Sequence, residues 1–99
     1  MGMSAQTEAY EAAGELLKVL SAPARMAIVT ELAAQPLLVH ELVDRLDMSQ
    51  PLVSSHLRVL RGAQLVQVQR RGREAVYSLA DTHVAHIVNE AIRALKDGR

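Results

Sequence analysis

Residues 46–79 read LDMSQPLVSSHLRVLRGAQLVQVQRRGREAVYSL, and this stretch decides the fold. Its first half predicts a capped helix, because Ser49 can accept a hydrogen bond from the free N–H groups of a helix start and Pro51 suits the first turn. Gly62 marks the end of that helix. Two β-prone runs follow, joined by an arginine-rich turn in which Gly72 supplies the tight bend. This order of elements predicts a helix-turn-helix followed by a wing, which is an arrangement suited to duplex DNA.

The helix predicted after Ser49 has two distinct faces. Its apolar residues recur at helical spacing and predict a buried face. Glutamine and serine near a helix start suit base edges in the major groove, whereas arginine suits phosphates. The predicted buried residues are Leu52, Val53, Leu57 and Leu60, and the predicted DNA-binding residues are Gln50, Ser54, Ser55 and Arg58.

The predicted wing concentrates positive charge. Residues 54–73 contain five arginines and no acidic residue, whereas the whole chain carries 11 basic and 11 acidic residues. This local concentration, rather than the net charge, favours contact with DNA. Arginine can also reach into a minor groove. The wing residues predicted to bind DNA are Arg70, Arg71 and Arg73.

Length and composition limit the class of protein. The 99 residues favour one domain over residues 1–99, with residues 1–6 and 97–99 expected as loose ends. The chain has no cysteine, which excludes disulfides, thiolate metal sites and a cysteine nucleophile. No serine lies in a nucleophile setting and no glycine-rich phosphate loop is present, so we expect no enzyme. Without a signal peptide or an apolar run of membrane-spanning length, we expect a cytoplasmic protein with no membrane partner.

Helices surround the predicted DNA-binding unit on both sides. A first helix is predicted at about residues 5–20, a second up to about residue 34 with Ser21 as its cap, and a third at residues 39–46. A last helix is predicted at about residues 81–96. The fold class is therefore mainly α with a small β-hairpin, a winged helix-turn-helix.

The last helix is too apolar to stand alone. We expect it to pack, together with the first helix, against a second copy of the chain and form a homodimer. A two-fold dimer would place two recognition helices about one DNA turn apart, ~34–36 Å, which matches a palindromic operator. The residues of the two stripes are Tyr10, Ala13, Leu16, Leu17 and Leu20 in the first helix, and Val84, Ile87, Val88, Ala91, Ile92 and Leu95 in the last.

A second face of the last helix carries metal-ligating residue types. His83, His86 and Glu90 follow one another at i, i+3 and i+7, and Asp81 precedes them. Imidazole and carboxylate are the ligands that zinc, nickel or cobalt would use where cysteine is missing. A solvated face with Asp81 as a helix cap is the alternative.

The chain resembles the ArsR/SmtB family of bacterial metal-responsive repressors from about residue 17 to residue 96. The most specific segments are SQPLVSSHLRVLRGAQLV and the wing RRGREAVYSL, and SAPARMAIVTEL is also similar. The resemblance implies a winged-helix homodimer that blocks a promoter and releases it when metal binds. It also implies base reading by Gln50, Ser54 and Ser55, and a wing carrying Arg70, Arg71 and Arg73.

Groups within this family differ in the position of the metal site. One group of the family uses cysteines at the start of the third helix, where this chain has LLVHE at residues 37–41 and no thiol. Another group binds zinc, or nickel and cobalt, on the last helix through D-x-H, a histidine eleven residues later and a final ligand three further on. Asp81 and His83 match this pattern, Ala94 departs from it, and Asp97 is a permissible oxygen ligand.

The departure at Ala94 leaves three outcomes open for the predicted metal site. His86 could supply the missing nitrogen, with Glu90 as a further candidate, because residues three apart on a helix are neighbours. A water could instead complete a weaker site, or the site is lost. Zinc is the metal expected, with nickel and cobalt as alternatives.

Three hypotheses of function follow. The first is a homodimeric repressor that leaves its double-stranded operator when metal binds, the second is a DNA-binding regulator without a working metal site, and the third is a winged helix used only for protein interaction.

Among the remaining polar residues, we expect His56 to be a hydrogen-bonded packing residue and His40 a surface or packing residue. We expect Arg25 and Arg45 to be surface charges or members of local ion pairs.

Overall fold

The computed structural model describes residues 4–97, with side chains from residue 5 to residue 96, and within this range it contains five helices and a three-stranded sheet. The predicted fold class, mainly α with a small β-structure, is confirmed. No helix in residues 4–97 has the length and apolar character needed to cross a membrane. The elements are α1 (Ser4–Leu20), α2 (Pro23–Ala34), β1 (Leu37–Leu38), α3 (Val39–Leu46), α4 (Gln50–Gly62), β2 (Val66–Arg71), β3 (Glu74–Leu79) and α5 (His83–Asp97).

The helix boundaries agree with the sequence prediction except at two starts. The prediction that Ser21 caps α2 is wrong. Its hydroxyl donates to the carbonyl of Lys18 at 2.8 Å and so closes α1 instead. Ala22 occupies the cap position of α2, and a proline lies in its first turn. α5 begins at His83, two residues later than predicted, because Asp81 stands before the helix and its carboxylate accepts from the His83 N–H at 2.8 Å.

The strand β1 was not predicted. It pairs antiparallel with β3, with Leu37 opposite Tyr77 and Leu38 opposite Val76, so the sheet has the order β1-β3-β2. Two residues are too few to show an alternating pattern, which is why the sequence gives no signal. Glu41 then caps α3 by accepting from the Leu38 N–H at 2.8 Å. The wing is thereby attached to the body of the domain at the start of α3.

A sharp turn between α3 and α4 sets the two helices of the helix-turn-helix. Asp47 adopts the left-handed conformation, with φ 53° and ψ 48°, and its N–H donates to the Val43 carbonyl. Aspartate tolerates this conformation better than most side chains. Asp47 and Met48 thus lie in the turn that joins the two helices, and α3 packs directly against α4.

The core is aliphatic, because the chain has no phenylalanine or tryptophan and only two tyrosines. Val53, Leu57 and Leu60 are buried as predicted, but the prediction for Leu52 is wrong, since its side chain is 47% exposed. Successive helical residues are rotated by about 100°, which places Leu52 beyond the edge of the face that contacts the core. The buried residues are Leu20, Ile28, Val29, Leu32, Leu37, Leu42, Val53, Leu57, Leu60, Val66, Val84 and Val88.

Candidate nucleic-acid interface and terminal-helix face

The start of α4 is held by the predicted cap. The Ser49 hydroxyl accepts from the Leu52 N–H at 3.3 Å, and Pro51 lies in the first turn. Gln50, Ser54 and Arg58 follow at four-residue steps, so they form one stripe along the helix, with Ser55 beside it. Of these four side chains Ser54 is half-buried and the others are exposed. The structure therefore brings the predicted base-reading residues onto one outward surface.

The wing ends in a two-residue turn formed by Gly72 and Arg73. Gly72 has a φ of +63°, which glycine adopts without the steric cost of a Cβ atom. A glycine in the first of two turn positions is the choice of the II′ hairpin loop. The tight turn predicted at Gly72 is confirmed, and the strands extend further toward the tip than the sequence indicated.

The wing arginines do not share one face. Arg70 lies opposite Ala75 and Arg71 lies opposite Glu74 in the antiparallel register. Since side chains alternate along a strand, Arg70 and Arg71 project from opposite faces of the hairpin. All three wing arginines are exposed, Arg73 at the turn itself. They surround the tip of the wing, and Arg71 has an acidic neighbour across the strands.

A groove joins the two parts of the predicted DNA-binding surface. It has a volume of about 390 Å³ and is lined by Gln50 of α4, by Arg73 and Glu74 of the wing and by His40 at the start of α3. His40 is exposed there, beside two residues predicted to bind DNA, a placement that depends on tertiary structure and has no signal in the sequence. The surface therefore includes a histidine that the sequence prediction did not assign to it.

The predicted metal ligands lie together on the outward face of α5. The side chains of His83, His86 and Glu90 are exposed, and the Asp81 carboxylate lies 3.3 Å from the His83 Nδ1. Glu90 is 3.4 Å from the Arg93 guanidinium. Within the described residues of one chain, no three histidine or carboxylate side chains converge to hold a metal ion. The side chain of Asp97 lies outside the described residues.

Apolar side chains remain uncovered on the first and last helices. Tyr10 is 66% exposed and Leu95 is 67% exposed, while Leu17 and Ile92 are also exposed. These residues belong to the two stripes that predict a dimer interface. The prediction that the whole of both stripes faces a second copy is wrong in part, because Leu20, Val84 and Val88 are buried in the core of their own chain.

Three interpretations of polar residues are settled by their contacts. His56 is half-buried and its Nδ1 lies 3.3 Å from the Arg25 guanidinium, which confirms the predicted packing role. The prediction for Arg25 is wrong, because this half-buried side chain also donates from Nε to the Val19 carbonyl. Arg45 does form a local ion pair, at 3.3 Å from Glu31.

Comparison with known proteins places these elements in a family. Residues 22–68, from α2 through the first half of β2, match the model of the bacterial regulatory protein, arsR family. The structure of the transcriptional repressor BigR from Xylella fastidiosa superposes with a TM-score of 0.80 at 30% identity, covering 91% of this chain and 92% of that one. The chain belongs to the ArsR family. The proteins to which it is similar are transcriptional regulators rather than enzymes.

A second ArsR-type relative is more similar in sequence. The HTH-type transcriptional repressor SmtB of Mycobacterium tuberculosis is 54% identical over 85 residues, which are 86% of this chain and 63% of SmtB. The chain spans the same 63% of two further curated relatives. The fold is also that of the homodimeric winged helix-turn-helix DNA-binding domain Mb0332 from Mycobacterium bovis, with a TM-score of 0.77 at 22% identity over 93% of this chain and 84% of that one. The predicted winged-helix fold is confirmed.

Proposed function

We propose that this ArsR-family chain is a homodimeric transcriptional repressor that binds double-stranded operator DNA through α4 and the wing. One observation carries the proposal: the stripe of Gln50, Ser54 and Arg58 on a capped, exposed helix lies beside a wing tip surrounded by arginines. Polar side chains on the helix suit base edges, and the arginines suit phosphates. BigR and SmtB are both named as repressors, which supports repression rather than activation of transcription.

The exposed apolar residues of α1 and α5 support the homodimer. Tyr10 and Leu17 on α1 and Leu95 on α5 are exposed, and exposed large apolar side chains on one helix face mark an interaction surface. Mb0332, which has the same fold, is homodimeric. Two-fold symmetry would present two α4 helices to successive major grooves about 34–36 Å apart, and the operator is therefore expected to be palindromic.

DNA binding is tested by fluorescence anisotropy on the DNA upstream of the protein's own gene. Replacing Arg70, Arg71 and Arg73 together by alanine should weaken binding and reduce the dependence of the affinity on salt, because fewer phosphate counterions are released. Arg93→Ala removes one exposed arginine from α5 and serves as the control. If the triple variant binds as the wild type does, the proposal is wrong and a protein-interaction module is favoured instead.

We further propose that a divalent metal, with zinc preferred over nickel or cobalt, releases the DNA by binding at α5. His83 and His86 lie one turn apart, beside the Asp81 carboxylate, and nitrogen and oxygen donors of this kind suit these metals. One chain does not gather three ligands within its described residues, so the site we propose is shared between the α5 helices of two protomers. Glu90 and Asp97 are the further candidate ligands.

The exposed ion pairs at this face present little obstacle to metal binding. The contact of Glu90 with Arg93 is solvent-exposed, and such pairs contribute at most about 1 kcal/mol. When bound, the metal would supply a crosslink between the two α5 helices and so favour one geometry of the dimer. A coupling of about 1–3 kcal/mol between the metal and DNA sites is typical of such regulation.

The metal proposal is tested by adding zinc to the protein–DNA complex. His83→Ala should leave DNA binding intact and abolish release by zinc. His86→Ala tests whether His86 supplies the nitrogen ligand that is missing at Ala94. His40→Ala, an exposed histidine remote from α5 in sequence, is the control for zinc binding in the absence of DNA. If His83→Ala still responds fully to zinc, the site on α5 is wrong. If the wild type binds DNA and ignores all three metals, the chain is a regulator without a working metal site.

A further inference from the structure

Arg25 joins three helices at a single point. It belongs to α2, its Nε donates to the Val19 carbonyl in the last turn of α1, and its Nη1 lies 3.3 Å from Nδ1 of His56 on α4. Among the side chains that the structure describes, Arg25 alone forms hydrogen bonds with both α1 and α4. Both Arg25 and His56 are half-buried.

The chemistry of this contact assigns the His56 proton. A guanidinium group only donates hydrogen bonds, so Nδ1 of His56 must be the acceptor. The neutral imidazole ring then carries its proton on Nε2. Arg25 therefore fixes the tautomer of His56 as well as the orientation of its ring.

The hydrogen bond constrains α4 in a way that its apolar anchors do not. The buried face of α4 consists of Val53, Leu57 and Leu60, and apolar contacts are non-directional. A hydrogen bond is directional, since its angle prefers values above about 150° and its strength falls steeply below about 120°. Because a helix is about 10–12 Å across, a rotation of roughly 15° would displace a side chain at its rim by roughly 1.4 Å. Such a rotation would misalign Gln50 and Ser54 with base edges.

A groove lies between α1 and the end of the recognition helix. Among the described residues, Arg25 is the polar connection between these two helices. α1 packs on α2, and a groove of about 380 Å³ lies between α1 and the residue that follows α4. Val19, whose carbonyl accepts from Arg25, lines this groove. The other lining residues are Ala12, Glu15, Leu16 and Ala63.

We propose that Arg25 is a positioning residue for DNA recognition, which sets the rotation of α4 through His56 and transmits movements of α1 to it. This inference rests on the proposed DNA binding. Arg25 lies on α2 and acts through His56, so it contributes to discrimination between sequences rather than to the attraction of phosphates. Lysine does not replace it, because an ammonium group lacks the fork that reaches two acceptors at once.

The first test compares affinity for the operator with affinity for a random duplex at one salt concentration. Arg25→Met and His56→Leu should each lower operator affinity about tenfold, which is the size of a typical coupling between contacting residues, and should leave random-duplex affinity within about twofold because the phosphate contacts are kept. The double variant should be no weaker than either single variant. His56→Asn should keep much of the discrimination, since its amide oxygen can accept near the position of Nδ1.

Arg45→Met is the matched control for the loss of an interhelical arginine contact. Arg45 joins α3 to Glu31 of α2 at 3.3 Å, and this ion pair involves no residue of α4. This variant should discriminate as the wild type does. Urea unfolding of every variant confirms that the fraction folded is equal under the binding conditions.

The second test needs no DNA. A long-range ¹H–¹⁵N NMR spectrum of histidine-labelled protein should show His56 protonated at Nε2 in the wild type and in Arg45→Met, and should show a loss of this preference in Arg25→Met. A proton on Nδ1 in the wild type would overturn the inference. If Arg25→Met distinguishes the operator from a random duplex as well as the wild type does, the positioning role alone is overturned. If the wild type has the expected tautomer but does not prefer the operator, the proposed function is overturned and this role with it.

Discussion

At the scale of single residues, the acidic side chain nearest the wing tip is the one to change first. Glu74 lines the groove with Gln50 and Arg73 and lies opposite Arg71. Its charge opposes that of the DNA phosphates. We expect Glu74→Gln to raise DNA affinity by about 1.4- to fivefold, the effect of one exposed charge pair of about 0.2–1 kcal/mol. Anisotropy titrations measure it, with Glu11→Gln on α1 as the control, and an unchanged affinity would contradict the assignment of this face.

Asp81 combines two roles that one substitution can separate. Its carboxylate accepts from the His83 N–H at the start of α5, and it is also a proposed metal ligand. Asparagine caps helices as well as aspartate does, whereas alanine costs about 1 kcal/mol. We therefore expect Asp81→Asn to keep the free energy of unfolding and to weaken zinc binding, while Asp81→Ala lowers both. Urea unfolding and zinc titration measure the two quantities. Full zinc affinity in Asp81→Asn would remove Asp81 from the ligand set.

At the scale of the elements, the burial of α4 gives a sharp contrast. Leu57 is fully buried, whereas Leu52, predicted from spacing to be equally buried, is 47% exposed. We expect Leu57→Ala to lower the free energy of unfolding by about 2–5 kcal/mol and Leu52→Ala by less than about 1 kcal/mol. Urea denaturation of the two variants is the measurement. Equal losses would mean that another surface covers Leu52 in solution.

The elements also show where sequence reasoning succeeds and where it ends. α3 and α4 follow from periodicity and from Ser49 and Pro51, since those signals are local. β1 does not, because Leu37 and Leu38 become a strand only when β3 lies beside them. The contact between Arg25 and His56 joins residues 31 positions apart and has no local signal. The base-reading stripe was predictable, whereas the placement of His40 beside it was not.

At the scale of the whole molecule, the exposed residues of the two stripes determine whether one or two recognition helices act together. Leu95 is 67% exposed near the end of α5, in line with the buried residues Val84 and Val88. A charged side chain there would be buried without a partner in the dimer, at a cost of several kcal/mol. We expect Leu95→Glu to sediment as a monomer at micromolar concentration, where the wild type sediments as a dimer.

The loss of the dimer should have a defined effect on DNA binding. A monomer contacts one half-site, so the slope of log affinity against log salt should fall to roughly half, because each protomer releases its own counterions. Leu52→Glu, an equally polar change at an exposed leucine outside both stripes, is the control for sedimentation. A dimeric Leu95→Glu protein would place the interface elsewhere. A monomeric variant with an undiminished salt slope would mean that one protomer makes all the phosphate contacts, and the palindromic operator would then be the part of the proposal to abandon.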